Sequence, residues 1–97
     1  MTDTPAVEVV DAPERSRYLA LVDGQEAGFA AYRMRGERIV FTHTEVPSAY
    51  EGRGVASALA RAALDDVRRR GLRMVLVCPF MTVYVQRHPE YADLIAE

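Results

Sequence analysis

His43 and Glu45 lie two residues apart in a run, Arg38 to Val46, that reads as an alternating strand. Alternate residues of a strand share a face, so an imidazole and a carboxylate would sit side by side. Such a pair can move a proton. Glu45 would act as the base, directly or through water, and His43 as an orienting or proton-carrying partner. The same two groups could equally be a polar pair satisfying each other. Cys78 is the single cysteine. It is a candidate nucleophile if ionised, and otherwise a small buried apolar residue. Gly52 and Gly54 lie in Tyr50-Glu51-Gly52-Arg53-Gly54-Val55-Ala56, between a strand-like run and a helix-like run. A strand, a glycine turn and a helix together aim unpaired backbone N–H groups and the positive end of a helix dipole at an anion. Glycines keep side chains out of the way of its oxygens. This stretch is read as a diphosphate-binding turn. The competing reading is a tight strand-to-helix connection, for which one glycine would suffice. Arg53 either contacts a phosphate or is a solvated residue at the helix start.

Several elements must position these groups. Val7 to Val10 alternates and suits a short first strand. Asp11 to Glu14 is a connection, and Arg17 to Val22 reads as a second strand. Asp23-Gly24 is a strong tight-turn pair. Ala27 to Met34 is a third strand, followed by a turn at Arg35-Gly36. Arg38 to Val46 is the fourth, with Ile39, Phe41, His43 and Glu45 expected on one face and Val40, Thr42, Thr44 and Val46 on the other. Turns at this spacing make an antiparallel meander. From Val55 the apolar period changes to that of a helix running to Arg70, ended by Gly71. Leu72 to Val77 is a continuous apolar strand of the type found in the middle of a sheet. It is expected parallel to the fourth strand through a right-handed crossover. Phe80 to Arg87 is read as a short helix after Pro79, although its β-branched residues would also suit a strand. Pro89 starts a last helical turn or two, with Tyr91, Leu94 and Ile95 as its apolar side. The class is α/β (α+β): four antiparallel strands, a helix, a parallel fifth strand and short C-terminal helices.

Composition narrows the function further. The formal net charge is −2, which does not suit a basic nucleic-acid surface. The arginines at 68 to 70 fall in the last turn of the long helix, where they complement its dipole. One cysteine and two histidines, without paired ligand spacing, do not suggest a metal site. No apolar run is long enough to cross a bilayer. The acidic, polar start lacks the features of a signal peptide, and a lone cysteine fits a reducing compartment, so a cytoplasmic protein is expected. Residues 1–6 look like a loose tail and 7–97 like one domain.

These segments resemble a known family. The strand, Gly52-Arg53-Gly54-Val55-Ala56, the long helix and the following strand resemble the acyl-CoA site of the GCN5-related N-acetyltransferases. The family pattern is Gln or Arg, two residues, Gly, any residue, then Gly or Ala. Glu51 departs from it at the start of the turn, which bears on a side-chain contact there and not on the backbone N–H groups. His43-Thr44-Glu45-Val46-Pro47, Cys78-Pro79-Phe80, Tyr84 and His88-Pro89-Glu90-Tyr91 are similar to a short, single-domain NATD1-like subgroup. The resemblance implies acetyl transfer from acetyl-CoA to an amine. The turn from Gly52 through Arg53, Gly54 and Val55 to Ala56 would hold the CoA diphosphate. The fourth strand would splay from the fifth, so that backbone near Thr44, Glu45 and Val46 meets the pantetheine arm and the thioester oxygen. Tyr84 matches the tyrosine that many members place beside the CoA sulfur, where its phenol would protonate the leaving thiolate. Its bland alternative is a helix aromatic packed on the sheet. Larger members have helices between the first two strands that cover the acceptor site. Here only Asp11 to Ser16 joins them, so the acceptor side should be open to a protein lysine, a polyamine or another small amine. A non-catalytic acyl-CoA-binding module is the alternative function.

Overall fold

The computed structural model describes residues 7–96. The expectation of a loose tail at 1–6 falls outside them. Five strands form one sheet in chain order: β1 (Val7–Ala12), β2 (Arg17–Val22), β3 (Gln25–Arg35), β4 (Arg38–Glu45) and β5 (Arg73–Leu76). The first four are antiparallel, and β5 runs parallel to β4. Only a 3-10 turn, Pro13–Arg15, and Ser16 separate β1 from β2. Asp23 and Gly24 both take positive φ, 52° and 80°, the conformation a two-residue hairpin with right-handed twist demands.

Helix α1 (Val55–Arg69) crosses one face of the sheet. Its stripe of Val55, Leu59, Ala60, Ala63, Leu64 and Val67 is wholly buried. Burying one leucine such as Leu59 contributes about 1.5–3 kcal/mol. The helix stops as its glycine foretold. Gly71 at φ 70° lets its own N–H reach Arg68 O and the Leu72 N–H reach Val67 O, at 3.1 and 3.0 Å. Helix α2 (Pro79–Arg87) and a 3-10 segment (Pro89–Leu94) pack on the same side, burying Met81, Tyr84, Val85, Tyr91 and Leu94. The helical reading of 80–87 therefore holds, since Pro79 occupies the first turn, where a missing N–H costs nothing.

Two expectations are corrected. Leu72 to Val77 is not in the middle of the sheet: β5 is its last strand. Its outer edge meets the chain end through a single bridge, Met74 to Ile95, and Val77 is 59% exposed. The apolar run reflects burial of Met74 under the helices, not a neighbour on each side. The second correction concerns β4. Tyr32 opposes Phe41, but Ala31 opposes His43, so Thr42 is an extra residue in the ladder. Such a bulge reverses the alternation that follows it. Ile39 and Phe41 face α1 and are fully buried, whereas His43 and Glu45 emerge on the opposite face. Thr44 takes the core-facing position beside Ala30.

Candidate acyl-transfer site

The glycine turn keeps the geometry its composition implies. Gly52 and Gly54 have φ 81° and 76°. A side chain would be strained there, and a Cβ at either would meet nothing within 4 Å. None of the described residues therefore fills the space that the glycines leave open. Gly54 is the N-cap of α1 and brings no side-chain cap. The first helix bond runs from Ala58 N–H to Gly54 O at 3.0 Å. The N–H groups ahead of Ala58 have no partner among the described residues and are open to a ligand or water, and no acidic residue in the first turn offsets the dipole. A hollow of about 160 Å³ lies here, bounded by Val46, Tyr50, Gly52, Gly54, Val55 and Ser57. Ala56 also lines it, as does Glu51, which is exposed. Arg53 is exposed, with its guanidinium 5.9 Å from the Tyr50 ring. A larger hollow of about 490 Å³ begins at Ser57, which lines both, and runs along α1 to Asp65 with Tyr84 in its wall, and one of about 360 Å³ lies farther along the helix between Ala62 and Arg70.

Beside the turn, the two parallel strands part. Pairing between β4 and β5 ends at Phe41 opposite Leu76. The Phe41 carbonyl accepts from both Val77 and Cys78 N–H groups at 3.0 Å, which closes the ladder. Beyond this point β4 continues to Glu45 on β3 alone, leaving the backbone of Thr42 to Glu45 without a partner on the β5 side among the described residues. Val46, next along the chain, belongs to the hollow at the glycine turn. Gly28 of β3 fixes where this strand end lies. A Cβ at Gly28 would stand 2.7 Å from Glu45 O and 3.1 Å from Val46 Cγ2, and its φ is 148°. The backbones thus approach more closely than any other residue would permit.

The candidate side chains fall into three groups. His43 Nε2 and Glu45 Oε1 are 3.2 Å apart, both well exposed on the open face of the sheet. Cys78 is 2% exposed, and its Sγ is 3.3 Å from Thr44 Oγ1. Tyr84 lies elsewhere, with its ring stacked on His88 at 4.0 Å. Burial raises the phenol's pKa, and the nearby Arg61 on α1 partly offsets this, while Glu90 and Asp65 reinforce it. His88 holds its place through a 2.9 Å contact between Nδ1 and the Tyr84 carbonyl. None of the hydrogen bonds or ring contacts among the described residues joins Tyr84 to Cys78, His43 or Glu45.

Sequence reasoning missed the bulge at Thr42, the role of Gly28, and a polar seam that ties α1 to the sheet. The Tyr18 hydroxyl donates to Asp66 at 2.7 Å and the Tyr32 hydroxyl to Asp11 at 2.6 Å. Arg70 reaches both carboxylates. The one available signal was Gly28 itself, a glycine inside a strand run.

A mixed sheet whose parallel strands part beside an uncapped, glycine-entered helix is the layout of an acyltransferase-type fold. The solution structure of a GCN5-like protein from Staphylococcus aureus has the same fold, with a TM-score of 0.67, 18% identity, and coverage of 98% of this chain and 91% of that one. The sequence model of the family described as GCN5-related N-acetyl-transferase matches residues 17–94. The chain belongs to that family, among its NATD1-like members. Protein NATD1 of Gallus gallus is 38% identical over 86% of this chain and 77% of the relative. Protein NATD1 of Bos taurus is 35% identical over 92% of this chain and 91% of its own length. Membership makes the chain an N-acetyltransferase-type protein.

Proposed function

We propose that the protein transfers an acetyl group from acetyl-CoA to an amine by direct attack. The observation that carries this reading is the parting of β4 from β5 next to the uncapped turn at Gly52 to Ala56. The turn offers N–H donors for the diphosphate. The unpaired edge of β4 near Thr44 to Val46 offers backbone groups for the pantetheine arm and for the thioester oxygen as it gains charge. The amine nitrogen attacks the thioester carbonyl, the new C–N bond forms, and the C–S bond breaks. Glu45, with His43 beside it, takes the proton that the amine loses. The thiolate receives a proton, for which Tyr84 is the candidate donor. Because burial raises its pKa, the phenol carries its proton at neutral pH. Cys78 is buried against Thr44, which supports direct transfer over a covalent relay. The open sheet face gives the acceptor access, since only Pro13–Arg15 and Ser16 stand between β1 and β2.

Thermal unfolding with and without acetyl-CoA, followed by amine-dependent release of CoA, tests this. Ligand at a hundred times its dissociation constant stabilises by about 2.7 kcal/mol. Stabilisation together with thiol release that depends on an added amine is the expected result. No stabilisation at millimolar cofactor overturns the reading.

A further inference from the structure

The open face of the sheet holds a charged group that the reaction above does not use. Arg17 of β2, Ala31 of β3 and His43 of β4 lie in one row across three strands. The backbones of Arg17 and His43 are therefore two strand spacings apart, roughly 9–10 Å. The Arg17 guanidinium leans over the Phe29 ring, 4.0 Å from its centroid. The His43 ring meets the same phenylalanine at 6.0 Å. Phe29 opposes Glu45 in the ladder. One aromatic ring thus has the guanidinium on one side and the His43–Glu45 pair on the other.

The carboxylates nearby are already engaged. Glu26 pairs with Arg15 at 2.9 Å and Glu45 with His43 at 3.2 Å. Arg17 is in no ion pair among the described residues, and its buried Nε has no hydrogen-bond partner. A buried donor left without an acceptor is uncommon and calls for an explanation. Stacking on Phe29 fixes the head group, so its terminal nitrogens are held for something that approaches from outside. The hollow there is about 200 Å³, lined by Arg17, Glu26, Gly28, Phe29, Glu45 and Pro47. That is room for a small molecule and falls short of the volume of a drug-sized pocket.

We infer that Arg17 reads a carboxylate on the acceptor: pinned over Phe29 across from His43 and Glu45, it selects a small amino carboxylate over a plain alkylamine or a polyamine. The carboxylate meets the Arg17 terminal nitrogens in a charge-assisted hydrogen bond, while the amine at the other end faces Glu45. A polyamine would place a second cation against the guanidinium. The inference rests on the transferase reading and names its substrate class.

The test uses the full chain, acetyl-CoA, and a series of short ω-amino carboxylates, each paired with the alkylamine of the same length. Wild type is expected to favour the amino carboxylate at least about tenfold in kcat/KM. That is the low end of what losing one hydrogen bond to a charged group costs. Arg17→Ala should abolish the preference by raising KM for the amino carboxylate, leaving the alkylamine unchanged. Arg17→Lys, which keeps the charge and loses the planar stack, should fall between. Equal losses for both amines in Arg17→Ala, or no preference in wild type, overturn the inference. If no amine turns over at all, the transferase reading fails instead. Binding read from the NMR signals of the Phe29 and His43 rings then decides separately: shifts with the amino carboxylate that weaken in Arg17→Lys and vanish in Arg17→Ala support the Arg17 subsite, and shifts that persist in Arg17→Ala or never occur overturn it.

Discussion

Thr44 Oγ1 touches Cys78 Sγ at 3.3 Å, beyond the last paired residues of β4 and β5. The two strands have separated in backbone there and remain bridged by side chains. The thiol ends up 2% exposed with a hydroxyl against it, so an incoming thioester would have to displace that contact before reaching sulfur. This geometry favours a packing role. Cys78→Ala is expected to retain amine-dependent CoA release, with a stability loss of about 1 kcal/mol from the shortened side chain. Steady-state kinetics and intact mass check it together. An acetylated wild-type protein accumulating without acceptor, with loss of turnover in a variant that still folds, would establish a covalent intermediate.

Tyr84 presents a different case. Its ring is buried among Phe80, His88 and Tyr91, and its hydroxyl donates no hydrogen bond among the described residues. Tyr84→Phe therefore removes an oxygen without orphaning a partner, and the melting temperature should hold. If the phenol protonates the thiolate, turnover falls by roughly a hundredfold, the lower end for a general acid, while stabilisation by acetyl-CoA persists. Unchanged turnover removes Tyr84 from the chemistry and leaves it as a ring packed among Phe80, His88 and Tyr91.

Periodicity and turn residues made most of the fold legible. Asp23-Gly24, Gly71 and Pro79 each marked a boundary because each residue type fits a backbone state that others resist. The glycine turn was legible for the same reason. What stayed hidden depends on pairing across strands. Nothing in the residues around Thr42 announces a bulge, because bulged and regular strands use the same apolar and β-branched types. Yet that one residue moves His43 and Glu45 to the open face and turns Thr44 toward Cys78. Strand alternation placed His43 and Glu45 on one face, which they share, but together with Ile39 and Phe41, which face the core instead. Which face it is depended on the ladder. The tyrosine–aspartate contacts were hidden for a related reason: Tyr18 and Asp66 are far apart in sequence and meet only once α1 has docked.

That docking contact also makes stability depend on pH. Burial by itself would raise the Asp66 pKa, but hydrogen bonds from Tyr18, Arg69 and Arg70 outweigh it and hold the carboxyl below its ordinary range. A carboxyl depressed in the folded state favours folding wherever it is ionised in the unfolded chain, above about pH 3.9. The contribution fades as pH falls through the lower folded value, where both states bind the proton. Asp66 is partly buried, its side chain 17% exposed, and losing a charged hydrogen-bond partner costs about 1.5–3 kcal/mol. Asp66→Ala should therefore lower the melting temperature at pH 7 by roughly 6–24 °C, at 4–8 °C per kcal/mol for a domain of this size. The gap between variant and wild type should narrow steadily below pH 4. Asp66→Asn keeps an acceptor for the Tyr18 hydroxyl and gives up the charge, so it should lose less at pH 7. Thermal melts across pH 3 to 8 separate the three proteins. A gap that stayed constant over that range would mean that Asp66 acts through shape and packing, with its charge contributing nothing.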